Sequence, residues 1–267
     1  MPKVSVIMGI YNCGPYLQEA LDSLYNQTFQ DFEIVLCDDG SSDNTYEVAL
    51  ENQRLHSSIV LLKNPHNMGL NYTLNKCLAV ASGEYIARMD GDDLCVSTRF
   101  EKQVKFLDEH PEYSIVSTPM IHFDEDGEFG RGKLKEGEPT KDVFNDGSPF
   151  CHAPSMVRKE AFDKVKGYTV DPKLLRVEDY HLWMKMYAAG YRGYNLGEYL
   201  YMMRDDRNAI ARRNVKARMN GIHAHWVAYN TLHLSFWKFI RSVIGCLIRI
   251  CVPRSIYIFF HKKDLNK

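Results

Sequence analysis

The sequence predicts an α/β fold, a doubly wound parallel sheet with helices packed on its faces. Short β-rich runs alternate with amphipathic stretches of helix length from residue 4 to residue 89, and acidic residues cluster just beyond two of those runs. The chain has 267 residues, 45% apolar and 25% charged, enough for one large core and one appendage rather than two equal domains.

The elements follow in order. Val4 to Ile10 reads as a buried strand, and Pro15 to Gln27 as a helix with Leu17, Ala20, Leu21 and Leu24 on one face. Phe32 to Cys37 is the second strand, and Asp43 to Gln53 a short helix for which Asp43 supplies the N-cap. Ile59 to Leu62, a helix over Gly69 to Ala81, and Tyr85 to Met89 complete the alternation. Arg99 to Glu109 is helical and Ile115 to Thr118 extended; residues 120–149, rich in Gly, Asp, Glu and Lys, read as a hairpin followed by a mobile loop. Lys159 to Lys166 and Asp179 to Ala189 are helices, and helical patterns fill most of the last 60 residues.

Seven cysteines lie scattered with no Cys-x-x-Cys pair, which argues against a disulfide framework and against a zinc site, and suits a reducing compartment. The apolar opening turns polar at Tyr11-Asn12, too early for a signal peptide, so the protein is expected to begin in the cytosol. The net charge of -1 hides an asymmetry: residues 204–267 hold 13 Lys or Arg against three Asp, leaving the first 203 residues strongly acidic. Such a tail seeks an anionic partner.

The acidic clusters carry the chemistry. Met89-Asp90-Gly91-Asp92-Asp93 follows a strand directly, so alternate residues Asp90 and Asp92 can point the same way, with Gly91 allowing close approach of a ligand. Carboxylates at that spacing suit Mg2+ or Mn2+ shared with substrate phosphates. Asp38-Asp39-Gly40-Ser41-Ser42-Asp43 follows the second strand and opens on the same rim of the sheet, where wound sheets bind ligands. Tyr11, beyond the first strand, offers a ring on which a base can stack.

Together with Val4-Ser5-Val6-Ile7-Met8, Gln27-Thr28-Phe29, Asp31-Phe32-Glu33 and Gly83-Glu84-Tyr85-Ile86, these motifs make the chain resemble glycosyltransferase family 2, inverting enzymes with the GT-A fold. The likeness is dense over residues 3–110 and thinner to about 200. It implies a Rossmann-like wound mixed sheet flanked by helices, with a catalytic domain over 1–203 whose nucleotide-sugar half ends near 110 and whose acceptor half spans 111–203. It further implies that Tyr11 and Asp39, with Asp38 beside it, contact the nucleoside of a UDP-linked sugar, that Asp90 lies toward the ribose and diphosphate, and that Asp92 binds the metal. Gly9 stands where many members carry a larger residue.

Inversion needs a general base for the acceptor hydroxyl. Arg176-Val177-Glu178-Asp179 resembles the family's Glu-Asp motif at a helix start, which makes Asp179 the expected base and Glu178 its substitute or a group that orients a neighbour. Phe150-Cys151-His152-Ala153-Pro154-Ser155 resembles an acceptor-side segment in which His152 can donate to the diphosphate. Arg88 and Arg99 can neutralise phosphate or pair with the nearby acids.

Residues 204–267 form the basic extension. At about 100° per residue, Lys238, Arg241, Ser242, Gly245 and Arg249 share one arc of a helix over 236–251, opposite Phe236, Phe239, Ile240, Val243, Ile244 and Leu247. No charge-free run reaches the roughly 18 residues of a spanning helix, so an interfacial helix over residues 236–263 on an anionic membrane is expected, with Arg207, Arg212, Arg213, Lys216 and Arg218 adding charge nearby. The competing structure is a helix packed on the protein's own core. No nucleic-acid recognition module is evident.

The expected protein is thus a peripheral enzyme on the inner face of the cell membrane. It moves one sugar from a nucleotide-diphosphate donor to a hydroxyl of a glycan or lipid-linked acceptor in surface-polysaccharide synthesis. Transfer to a polyprenyl phosphate, and a silent nucleotide-sugar-binding scaffold, are the alternatives.

Overall fold

The structure, a computed structural model, describes residues 1–204 and 215–251. Strand β1 (Val4–Ile10) is buried along nearly its whole length, and helix α1 (Gly14–Tyr25) covers one face of it. β2 (Phe32–Asp38), α2 (Thr45–Leu55), β3 (Ile59–Lys63), α3 (Leu70–Leu78) and β4 (Tyr85–Arg88) repeat the unit. A two-residue strand β5 (Leu94–Cys95) and α4 (Arg99–Glu109) follow. Then come β6 (Ile115–Ser117), the hairpin β7 (Met120–Asp124) and β8 (Gly127–Arg131), β9 (Met156–Arg158) and α5 (Lys159–Val165). α6 (Glu178–Ala188), β10 (Gly193–Asn195) and β11 (Tyr201–Arg204) complete the first body, and α7 (Val215–Leu232) and α8 (Phe236–Cys251) form the extension.

The main sheet runs β10-β6-β9-β4-β1-β2-β3. Apart from β9, which is antiparallel to both β4 and β6, its strands are parallel, so the sheet is mixed rather than wholly parallel. A short strand following a loop, with no crossover helix before it, can pair in either sense, and β9 has no such helix. Register sets Ile10 opposite Asp38 and Ile7 opposite Arg88, so β1, β2 and β4 deliver Tyr11, Asp39 and Asp90 to one rim. A second sheet, β5-β11-β7-β8, stands beside that rim. Apolar side chains fill both faces of the main sheet: Val4, Val6, Met8 and Leu36 on one, Ile7, Val35, Ile86 and Trp183 on the other.

Several expected boundaries move for identifiable reasons. Asp43 does not cap α2: its carboxylate accepts from the Gly14 amide at 3.1 Å and the Thr45 amide at 3.0 Å, stitching the starts of α1 and α2 together, and Asn44 takes the N-cap position. Beyond the hairpin, residues 141–145 form a 3-10 turn with Phe144 fully buried, so this part of the expected mobile loop is anchored. Cys13, Cys37, Cys77, Cys95, Cys151 and Cys246 are free thiols.

In the extension, α8 spans the residues expected of it. Its orientation differs from the expectation. Lys238 pairs with Asp142 at 3.0 Å, Arg241 pairs with Asp146, and the Ser242 hydroxyl donates to the Asn145 carbonyl, so the polar arc faces the catalytic body instead of lipid headgroups. Opposite charges on the 141–146 segment capture it. Phe239 packs between Trp226 and Tyr229 of α7, while Trp237 stays 78% exposed and Ile244, Leu247 and Ile248 about half exposed. Among the described residues no helix is long and apolar enough to cross a membrane. Arg207, Arg212, Arg213 and residues 252–263, on which the membrane expectation also drew, lie outside the described residues.

Candidate active site

Beyond the β1, β2 and α3 ends lies a cavity of about 460 Å3 lined by Gly9, Tyr11, Asp39, Gly69, Arg176 and Glu178 among others. Tyr11 is 48% exposed at its mouth, free to stack. Asp39 lies at the floor. Its carboxylate accepts from the amides of Met68 at 2.8 Å and Gly69 at 2.9 Å and from the Asn64 side chain at 2.8 Å. Three of the roughly four acceptor positions of a carboxylate are therefore spent on holding the 67–69 loop, and one is left for a ligand. Gly69 has φ +89°, a conformation that favours glycine, and thereby aims its amide at Asp39. Gly9 enlarges the cavity: a Cβ there would stand 3.1 Å from Leu70 Cδ1.

Asp38 is placed differently. It is fully buried, is not among the residues lining the cavity, and its carboxylate accepts from the Ser41 amide at 3.3 Å, holding the turn in which Gly40 passes tightly against His66. Asn12 ties this turn to the end of β1, its Oδ1 accepting from the Ser42 amide at 2.9 Å.

The Asp90-Gly91-Asp92-Asp93 turn leaves β4 and brings one carboxylate oxygen from each Asp within 4.8 Å of the others. Asp93 is buried, accepts from the Tyr201 hydroxyl at 2.7 Å and the Arg204 amide at 2.8 Å, and thus anchors the turn. Burial first, and then Asp90 and Asp92, push its carboxyl well above the ordinary carboxylate range. Asp90 pairs with the buried Arg88 guanidinium. Asp90 and Asp92 are half-buried, and hard oxygen donors so grouped fit a divalent cation whose charge relieves their mutual repulsion. Gly91 is required by the protein's own packing: a Cβ would lie 2.7 Å from Cys13 Sγ and 2.9 Å from Ile10 Cγ2.

Asp179, half-buried in the first turn of α6, has its carboxyl pushed up to about 6 by burial and then by Glu178. A carboxylate so tuned is ionised at neutral pH yet more basic than usual, as a general base requires. The ridge 176–179 divides two cavities. Glu178 lines the Asp39 cavity, whereas Asp179 lines a second one of about 510 Å3, and Arg176 borders both.

His152 Nε2 sits 2.8 Å from the Tyr168 hydroxyl, and burial followed by the Arg88 charge holds its pKa well below the usual value, so it is neutral at working pH. Of the two arginines left open by sequence, Arg88 pairs with acid. Arg99 is wholly buried, donating to the main-chain carbonyls of Arg88 at 2.9 Å and Ala153 at 3.2 Å, and so cannot reach a phosphate. Sequence reasoning missed Arg204. Its Nε donates to the Asp92 carbonyl at 2.9 Å and its guanidinium lies between the rings of Tyr16 and Phe123. Nothing local marks it, because its partners are 112 residues away.

Comparison with known proteins agrees with this architecture. The chain is 40% identical over 263 residues to the protein named glycosyltransferase EpsE of Bacillus subtilis, covering 98% of this chain and 94% of that one. It is 28% identical to the Escherichia coli UDP-Gal:alpha-D-GlcNAc-diphosphoundecaprenol beta-1,3-galactosyltransferase, covering 100% and 98% of the two chains. The crystal structure of S. aureus TarS 1-349 in complex with UDP-GlcNAc superposes with a TM-score of 0.72 at 22% identity, over 92% of this chain and 71% of that one, which establishes the GT-A fold. Residues 5–166 match the model of Glycosyl transferase family 2. With that match and a relative 40% identical along almost its whole length, the chain belongs to glycosyl transferase family 2.

Proposed function

We propose that this transferase moves a single sugar from a UDP-sugar to a hydroxyl of a lipid-linked glycan acceptor, with inversion, at the cytoplasmic face of a membrane, in the synthesis of cell-surface polysaccharide. The observation that carries the reading is the ridge at 176–179: consecutive carboxylates face different cavities, Glu178 toward Asp39 and Asp179 toward the second cavity. A donor and an acceptor on opposite sides of that ridge meet at its crest.

In this reading the nucleoside occupies the Asp39 cavity, with its base against Tyr11 and the last acceptor position of Asp39 toward an N–H of the base. Asp38 supports that contact by fixing the turn. Asp90, held by Arg88, faces the ribose and diphosphate. Mg2+ or Mn2+ held by Asp92 and Asp90 would neutralise charge on the departing diphosphate. Asp179 accepts the acceptor's hydroxyl proton while that oxygen bonds to the anomeric carbon; the bond from that carbon to the phosphate oxygen breaks and its electron pair leaves with UDP. His152, neutral and fixed by Tyr168, keeps the floor beside Arg88 dry and ordered. Support for a lipid-linked hydroxyl acceptor comes from the E. coli relative, whose name specifies one, and from Asp179, since a phosphate acceptor would arrive already deprotonated.

The exposed ridge of Trp237, Ile244, Leu247 and Ile248 supports peripheral attachment to an anionic membrane, with apolar side chains entering it and the net positive charge of the 204–267 sequence adding attraction. The test is UDP release from UDP-sugars with Mn2+ and a lipid-linked acceptor. Asp179→Asn is expected to lose roughly 10²- to 10⁴-fold in turnover, and undiminished turnover would overturn the assignment.

A further inference from the structure

We infer that Asn220, on α7 of the extension, is a positioning residue for the donor site: its carboxamide holds the turn that walls the Asp39 cavity and leads into the ridge carrying Glu178 and Asp179. The inference rests on the transferase reading above. It deepens that reading by placing a residue of the extension behind the donor.

The cavity has two facing walls. One is the 67–69 loop with the start of α3; the other runs between Val170 and Glu178 and contains a 3-10 turn over Pro172–Leu174. Carboxamides tie the second wall at both ends. At the near end Asn71 Nδ2 donates to the Thr169 carbonyl at 2.8 Å, and Asn75 exchanges two hydrogen bonds of 2.8 Å with the main chain of Tyr168. At the far end Asn220 Nδ2, which carries two hydrogens, donates to the Leu175 carbonyl at 3.0 Å and the Pro172 carbonyl at 3.3 Å. Pro172 and Leu175 both line the cavity. The near tie comes from α3, within the first body, whereas the far one crosses from the extension, 45 and 48 residues along the chain.

This turn needs an outside hold. The Asp171 carboxylate caps it by accepting from the Lys173 amide at 2.8 Å, but it runs into Arg176, whose φ of +70° is one that L side chains rarely adopt. Such a conformation persists where the surrounding structure over-determines it. The Val177 amide still donates to the Leu174 carbonyl at 3.2 Å, and α6 begins at the next residue, so a shift of the turn passes directly to Glu178 and Asp179. Asn220 itself bears the cost of the arrangement. It is 7% exposed inside α7, where asparagine is a poor helix former and a buried carboxamide is unfavourable without partners; its hydrogen bonds to the turn account for it. The same helix carries Trp226 and Tyr229 against Phe239, so the element behind the donor also supports the exposed ridge of α8.

The experiment is calorimetry of UDP with Mn2+ on the full chain, together with KM for a UDP-sugar, below the melting temperature of each variant. Asn220→Ala removes the carboxamide and favours the helix. Asn220→Asp keeps the size but turns an acceptor toward the two carbonyls. Each is expected to weaken UDP and raise KM at least fivefold. Lys238→Ala with Arg241→Ala, which loosens the extension at Asp142 and Asp146 and not at the turn, is expected to leave UDP affinity unchanged. In the unmodified protein, UDP with Mn2+ is expected to slow hydrogen exchange over residues 216–224 at least threefold, and more than over α8, because coupling between sites is reciprocal. The inference is overturned if either Asn220 variant binds UDP as tightly as the unmodified chain, whatever its melting temperature, or if the Lys238 and Arg241 pair weakens UDP equally. Exchange over 216–224 slowed no more than over α8 would also overturn it, and that measurement holds even should neither variant fold. Absence of UDP binding to the unmodified chain would instead overturn the transferase reading itself, which separates the two failures.

Discussion

The pH dependence of turnover tests the general base most sharply. Burial and the neighbouring Glu178 raise the Asp179 carboxyl from its ordinary 3.8 to about 6. With that value nearly all Asp179 is ionised at pH 7.5 and about one molecule in eleven at pH 5, so kcat/KM should fall about tenfold between them. Glu178→Gln removes the second cause and leaves burial, so the acidic limb should move to lower pH without reaching the ordinary value. Stability runs the other way. The folded carboxyl binds its proton more tightly than the unfolded one, so the stability it contributes is present below 3.8 and lost as pH rises through about 6. Asp179→Asn, which never ionises, should therefore melt at a higher temperature than the unmodified protein at pH 7.5 while losing turnover. The assay is UDP release under kcat/KM conditions from pH 5 to 8, with melting followed on the same samples. A flat profile over that range, or an acidic limb that Glu178→Gln leaves in place, would refute the tuning argued here.

Other perturbations reach separate parts of the molecule. Asp92→Asn should remove the Mn2+ dependence of UDP-sugar affinity in calorimetry; unchanged dependence would put the cation elsewhere. Gly91→Ala should destabilise by about 1–3 kcal/mol through overpacking against Cys13 and Ile10, measured by urea unfolding. Trp237→Asp with Leu247→Asp should reduce sedimentation with anionic vesicles, and equal sedimentation would remove α8 from the membrane contact. Lys238→Ala with Arg241→Ala should cost at most about 2 kcal/mol of melting stability, because both pairs are exposed.

Much of the fold was legible because βαβ periodicity is local: the predicted strands and helices through residue 109 recur within a few residues of their observed bounds. Acids at strand ends were legible because parallel register carries strand ends to a common rim, as Ile10 opposite Asp38 shows. Less legible were features decided by distant partners. Asp43 is shared between the start of α2 and the Gly14 amide 29 residues earlier, and the sense of β9 depends on strands far from it in sequence. The two faces of α8 were correctly separated by their spacing, but which one meets the body depended on Asp142 and Asp146, whose meeting with Lys238 and Arg241 spans about 95 residues of sequence. Asp38 and Asp39 looked equivalent on paper; strand alternation turned one into the turn and the other into the cavity.

Arg204 blurs the seam between catalytic body and extension. As the final residue of β11 it is the place where a truncation designed from composition would fall, yet its amide supports Asp93, its Nε supports the Asp92 carbonyl, and its Nη2 reaches Glu19 at 2.5 Å. A shortened protein cut one residue too early would lose two struts of the acid turn and the tie to Glu19 at once, and an inactive product would wrongly indict the missing helices. By these contacts Arg204 belongs with the acid turn, although by composition it opens the basic stretch.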